Sequence, residues 1–173
     1  MTTIKMPGAV SRLLLSARDV RELKYTQLGW IHVETTADRA VFVTTNTHIL
    51  AKVVAPRKLI EAGDYLPGKR LANTLELNPI VPEKSRSFPT WMRAFPSEDY
   101  DQEHTATLRG SAFRAHARFC VDTEYLTILA ATGYNWKITQ REGKTKSVYT
   151  AITESMEPEW SITVLIMPVK DTE

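Results

Sequence analysis

From Ala9 to Lys24 the apolar residues Leu13, Ala17, Val20 and Leu23 recur at helical spacing. This predicts a helix with one buried stripe and Ser11 as a cap or first-turn residue. The period then changes. Gly29–Thr35 (GWIHVET) and Arg39–Thr45 (RAVFVTT) are β-branched and aromatic, and they read as strands joined by a short TADR turn. His48–Pro56 (HILAKVVAP) is a third strand, ended by its proline. Prolines at 67, 79, 82, 89 and 96 break any long element in the middle of the chain. There LANTLEL reads as one short strand, and Ser97–Thr105 (SEDYDQEHT) as an exposed acidic loop. Phe113–Phe119 (FRAHARF) alternates strictly, with Phe113, Ala115, Ala117 and Phe119 inward and Arg114, His116 and Arg118 outward. Asp122–Thr132 is a helix capped by Asp122 and stopped by Gly133. Strands follow at Tyr134–Glu142, Ser147–Ser155 and Trp160–Val169.

The last run, WSITVLIMPV, is apolar on both strand faces. Ile162, Val164 and Ile166 point one way, Leu165 and Met167 the other. Such a strand is expected to be covered on both sides. It is far shorter than the roughly 20 apolar residues of a membrane span. Helix then three strands occurs at residues 9–56 and again at 122–169, as a repeat of pattern and not of sequence identity. The expected fold class is α+β, with antiparallel sheet and two helices on one side.

Composition adds little. The 173 residues are 43% hydrophobic and 24% charged, with net charge +2, ordinary for a globular chain and neutral as to partner. One cysteine, Cys120, excludes an internal disulfide and suits a cytoplasmic location. No signal peptide or membrane span is expected. No Gly-rich phosphate loop, cysteine pair or G-x-S-x-G turn is present. His116 and Cys120 lie on a strand, about 13 Å apart at 3.3 Å per residue, and are no ligand pair. Glu98, Asp99, Asp101 and Glu103 form a solvated acidic face. The expectation is a protein that is not an enzyme, with no catalytic residue, no metal and no cofactor. Arg18 and Arg21, one helical turn apart, could meet phosphate, although Asp19 and Glu22 dilute them. Arg114 with Arg118, and Lys84, Arg86 and Arg93, are further basic groups on a mixed surface. Trp91, Met92 and Phe95, in the proline-bounded FPTWMRAFP, are expected to pack on the chain's own core before they wall a peptide groove.

Three segments together resemble one family. FPTWMRAFP resembles the F-P-[DN]-[YW]-R-R-V-[IL]-P segment of the bacterial DNA polymerase III β subunit, the sliding clamp. TTNTHILA (Thr44–Ala51) resembles its A-T-D-G-H-R-L-A, and VLIMPVK (Val164–Lys170) its C-terminal V-V-M-P-M-R. ARDVRELKYTQLGWIHVET is similar to the passage from helix to strand in that family, and the order also resembles compact clamp-like proteins of phages and prophages. The resemblance implies a DNA-clamp-like fold of two β-α-β-β-β halves. They form a single domain, 1–173, with half one at about 1–82, a connecting segment at about 83–107 and half two at about 108–173.

It also implies a non-enzymatic replication-associated protein whose pocket takes short linear peptides from polymerase or repair proteins. Carried over by position, that pocket is Thr45, Thr47, His48, Ile49, Leu50, Pro96, Met167, Pro168 and Val169. Arg18, Arg21 and Lys24 are the corresponding candidates for double-stranded DNA. Where the family has glycine, arginine and aspartate, this chain has Thr47, Ile49 and Asn46. A threonine resists positive φ, so the turn is expected to be rebuilt if it needed a glycine. Ile49 is expected to make the pocket rim more apolar. The second helix has no Lys or Arg, unlike a DNA-facing helix, and closing a ring would take about six copies, a homo-oligomer. The alternative is a phage or mobile-element inhibitor or decoy that uses the same fold to bind a host protein.

Overall fold

The structure, a computed structural model, describes residues 1–18, 27–81, 88–94, 102–115, 121–142, 147–153 and 160–166. In chain order its elements are β1 (Thr2–Lys5), α1 (Gly8–Ser16), β2 (Ile31–Thr35), β3 (Ala40–Thr45), β4 (Ile49–Val54), β5 (Gly63–Leu71) and β6 (Thr74–Pro79). After a 3-10 turn at Trp91–Ala94 come β7 (Gln102–Arg109), β8 (Ala112–Ala115), α2 (Thr123–Ala130), β9 (Asn135–Glu142), β10 (Ser147–Thr153) and β11 (Ser161–Ile166).

The described strands form one antiparallel sheet in the order β1-β6-β5-β2-β3-β4-β11-β10-β9-β7-β8. Strands from the first part of the chain fill one side and those from the second part the other. They meet in a single ladder, where Ser161 to Ile166 run opposite Val54 to Ile49. On either side of that seam the order is mirrored: β4-β3-β2 outward one way, β11-β10-β9 the other. Each trio follows its own helix in sequence, which is the repeated pattern of helix plus three strands.

Both helices lie against one face of this sheet. Alternate residues from nearly every strand point at them: Val33, Phe42, Ala51, Val53, Leu77, Leu108, Trp136, Ile138, Ala151, Ile162 and Val164 are all buried in one cluster with Val10, Leu13, Leu14 and Ala17 of α1 and Leu129 of α2. Period two on the strands and period 3.6 on the helices produce this inner core directly. The buried Trp136 indole is not left unpaired. Its Nε1 donates to Leu129 O at 3.0 Å and Thr132 Oγ1 at 3.2 Å, using carbonyl and hydroxyl groups freed where α2 ends.

Asp122 caps α2 as expected, its Oδ1 accepting from Glu124 N at 2.8 Å, and Gly133 follows the helix with φ +78°. Of the two expectations for Ser11 the second holds: it does not cap α1 but lies in its first turn. The N-cap is Pro7, which supplies no side-chain bond, and Ser11 lies in the helix with its Oγ donating back to Gly8 O at 3.0 Å. The start of α1 is pinned to the β5–β6 turn: Met6 N donates to Asn73 O at 3.0 Å, and a side chain at Gly8 would run into Ala72 O.

Three strand expectations need correction. LANTLEL is not one strand, because Ala72-Asn73 turns the chain between β5 and β6. Gln102–Thr105 belong to β7, not to a loop; their polar side chains suit a strand with one solvated face, where Glu103 pairs with Arg141 at 3.5 Å. In β8, Phe113 packs on the core but Ala115 is exposed, because the strand is the edge of the sheet. His116–Cys120 lie outside the described residues. Among the described residues no helix is long and apolar enough to cross a membrane.

Candidate functional site

The β3–β4 hairpin turns at Asn46-Thr47-His48. Thr47 has φ +76°, so the turn is not rebuilt: the threonine itself takes the left-handed conformation. For a residue with a Cβ this costs about 1–2 kcal/mol. Local hydrogen bonds offset it. Asn46 Oδ1 accepts from His48 N at 3.0 Å and from Ile49 N at 2.9 Å. Thr45 Oγ1 accepts from Thr47 N at 3.0 Å and donates to Ile49 O at 2.8 Å. Asparagine in place of aspartate keeps the accepting oxygen at this turn, without the charge.

Thr47 and His48 are exposed at the tip, while Thr45, Ile49 and Leu50 are buried. Ile49 faces the helices as part of the inner core, so it does not make an outer rim more apolar. Leu50 faces the other way. Ile166, the last described residue of β11, stands opposite Ile49, which brings the end of that strand beside the hairpin turn. Pro96, Met167, Pro168 and Val169 lie outside the described residues, as do Arg21 and Lys24.

The outer face of the sheet carries its own apolar cluster: Trp30, Val43, Leu50, Phe88, Trp91 and Leu165, with Val41 and Ile80 at its margin. Phe88 and Trp91 come from the proline-bounded segment, which crosses the strands and covers them. This is the second cover that the doubly apolar last strand required. Charged groups surround the crossing. Trp91 Nε1 donates to Glu34 Oε1 at 2.8 Å, and Lys52 Nζ sits 5.3 Å from the centre of the Trp91 ring. The His32 ring stacks on Phe88 with centroids 5.0 Å apart and planes 8° from parallel. His32 Nδ1 lies 2.6 Å from Asp64 Oδ1, and Nε2 lies 3.5 Å from Glu34 Oε1.

Sequence reasoning found the Trp91 segment and its tendency to pack, but not its partners Glu34, Lys52, His32 and Asp64. No spacing in the sequence marks them: only when the strands are set in register do Asp64, His32, Val43, Lys52 and Thr163 form one cross-strand row on the outer face.

Arg18 lies at the end of α1, half-buried, with Nε donating to Leu15 O at 3.3 Å and a terminal nitrogen 3.5 Å from Gly29 O. Burial lowers its pKa from the usual arginine value. It ties the helix end to the approach to β2. Among the described residues no group of three or more His, Cys, Asp or Glu could hold a metal ion.

No known family model matches the sequence, and no curated protein matches it. Solved structures do match in fold. The DNA polymerase III β chain of Streptococcus pneumoniae TIGR4 superposes with a TM-score of 0.59 at 11% identity, covering 98% of this chain and 65% of that one. The β subunit of Borrelia burgdorferi gives 0.56 at 11% identity, covering 98% and 64%. The Helicobacter pylori β clamp bound to a DNA ligase peptide gives 0.52 at 11% identity, covering 96% and 65%. The chain thus spans a little under two thirds of the length of these neighbours. Its fold is that of the bacterial DNA sliding clamp.

Proposed function

We propose that this chain is a clamp-like, non-enzymatic protein associated with DNA replication, which takes short linear peptides of partner proteins. The proposed site is the β3–β4 turn with the end of the last strand: Thr45, Thr47, His48, Leu50, Pro96, Met167, Pro168 and Val169, with Ile49 anchoring the turn from the inner core rather than touching the peptide. Supporting it is the register that sets Ile166 opposite Ile49, so that two of the three clamp-like segments converge at one end of the seam. The peptide-bound clamp of H. pylori shares the fold. Apolar anchors entering a desolvated cleft would carry most of the affinity. A cytoplasmic location and assembly of several copies belong to this reading, as does double-stranded DNA contacted through Arg18, Arg21 and Lys24.

The experiment is titration of a labelled clamp-binding peptide, with solution mass measured in parallel by light scattering. His48→Ala and Met167→Asp are expected to weaken the peptide at least about tenfold. Unchanged affinity in both variants removes the site.

A second reading, a mobile-element inhibitor or decoy that binds a host protein through the same groove, is favoured by α2. Its eight residues, TEYLTILA, carry Glu124 and no cation, a poor face to set against DNA. A monomer or dimer that binds no duplex would support this reading; a high-order closed assembly would support the first.

A further inference from the structure

At the far end of the seam from the His48 turn, the chain builds a cationic cleft of about 670 Å³. Lys5 reaches it from the end of β1, Arg39 from the start of β3, Arg57 from just past β4, and Trp160 and Ser161 from the start of β11. The cations belong to three separate segments that only the fold brings together, and all three are exposed. No carboxylate is among the described residues lining the cleft. Among the described residues Arg39 has only a loose exposed ion-pair partner, Asp38, at 3.7 Å, and neither Lys5 nor Arg57 is held in an ion pair.

A second cleft, of about 460 Å³, shares Lys5 and Trp160 and continues past Tyr134 and Asn73 to Pro7, Gly8 and Ala9 at the start of α1. That helix has no side-chain cap and no acidic residue in its first turn. Its N-terminal amides therefore add a positive potential to that of the three side chains. Cations beside aromatic side chains and a bare helix start fit a ligand with phosphate and a flat ring.

We infer that this pair of clefts binds nucleotide units, with phosphate on Lys5, Arg39, Arg57 and the start of α1, and the base against the half-buried Tyr134, beside the edge of the Trp160 indole whose body is buried in the core. The ligand is a free nucleotide or a short single strand, since both present that chemistry. A duplex, whose bases are already stacked on one another, does not. The site is at the other end of α1 from Arg18 and does not depend on the peptide reading.

The test uses the full chain and fluorescence anisotropy with a labelled oligothymidylate of about twelve residues, at salt from about 50 to 200 mM. Thymidine 5′-monophosphate and inorganic phosphate serve as competitors. Three phosphate contacts on a single strand predict a slope of log affinity against log salt of about −2. Arg57→Ala and Lys5→Ala should each weaken binding several-fold and flatten the slope by about 0.7, with Arg57→Lys retaining most of it. Arg114→Ala, on the exposed edge strand, should change nothing. Because these side chains are exposed, melting temperatures should stay within a degree or two of the parent, so lost binding cannot be lost folding. Competition by the mononucleotide identifies the free nucleotide as sufficient; its absence alongside oligonucleotide binding identifies the strand. Absent binding at low salt, equal loss in Arg114→Ala, competition by inorganic phosphate as strong as by the mononucleotide, or duplex bound as tightly as single strand would each overturn the proposal.

Discussion

Leu165 of β11 stands directly opposite Leu50 of β4, and both side chains point away from the helices into the outer cluster that Trp91 covers. The seam between the two halves of the sheet is therefore sealed on both faces. Ile162, Val164 and Ile166 bury into the helix side, and Leu165 into the other. Trp91→Ala should cost about 3–5 kcal/mol and Leu165→Ala about 2–5 kcal/mol, since each opens a cavity over the seam. Denaturant unfolding measures both. Because the residues share one cluster, the double variant should lose less than the two single losses added together; strict additivity would mean that the two side chains do not share a packing site.

Glu34 and Lys52 grip Trp91 from its polar edge and its face, respectively. Glu34→Gln keeps an oxygen for the indole N–H and should cost well under 1 kcal/mol. Glu34→Ala leaves that N–H without its acceptor in a nearly buried ring and should cost about 1–3 kcal/mol. If urea midpoints for the two variants agree, the 2.8 Å bond contributes nothing to holding the segment down.

The turn at Thr47 separates what the sequence could reveal from what it could not. The strands on either side were legible because their apolar residues alternate, and the turn was legible from TTNTH. The left-handed φ at a threonine was not, because propensity argues against it. It is stabilised by hydrogen bonds from Thr45 and Asn46 that exist only once the hairpin closes. Thr47→Gly should therefore leave stability equal or raise it by up to about 1 kcal/mol, strain relief being partly offset by a more flexible unfolded chain. Asn46→Ala, which removes two acceptor contacts, should lower it by about 1–2 kcal/mol. Thermal melts of the pair check the sign.

The same contrast holds for the outer face. Doubly apolar β11 foretold a second cover, and Trp91 was expected to pack on the core, but that the one covers the other emerges only in the folded chain. The row of Asp64, His32 and Lys52 beneath that cover could not be read from spacing. It depends on β5 pairing with β2 and on the exact register of four strands. A one-residue slip would turn every one of those side chains to the helix side. The strand at Gln102–Thr105 was hidden for a related reason: its polar composition resembles a loop, and only pairing with β9 makes it sheet.

Tyr65 is expected to weaken the fold at alkaline pH. Its phenol is held above the usual value of 10.0, first by burial and then by the neighbouring charge of Glu61, and its hydroxyl donates to Glu61 O at 2.9 Å. Tyr125 is raised likewise, by burial first and then by Asp122 and Glu124. In the unfolded chain a tyrosine releases its proton near pH 10, while in the folded chain these two keep theirs to higher pH. The folded state then binds more protons, so stability must fall as pH rises through and above about 10. Below that range neither group contributes any slope. Melting temperatures followed from about pH 9 to about pH 11.5 should decline beyond pH 10, and Tyr65→Phe should reduce that decline. An unchanged profile in Tyr65→Phe would show that its ionisation is not what limits the fold.

Arg18 tests how a basic residue on a clamp-like helix is used. Its guanidinium reaches Leu15 O within its own helix end and approaches Gly29 O across the chain, and burial already weighs against its charge. A side chain engaged in this way stabilises the α1 terminus, and the guanidinium N–H groups outside these two contacts stay available to phosphate. Arg18→Ala should therefore lower stability by about 1–2 kcal/mol at both low and high salt, because backbone hydrogen bonds, unlike surface ion pairs, are little screened. Arg12, exposed one and a half turns earlier on α1, should cost almost nothing when changed to alanine. Measured against duplex DNA, Arg18→Ala should show a salt-dependent loss that persists when the comparison is made at equal folded fraction. A loss that vanishes in fully folded protein would remove Arg18 from the proposed DNA contacts.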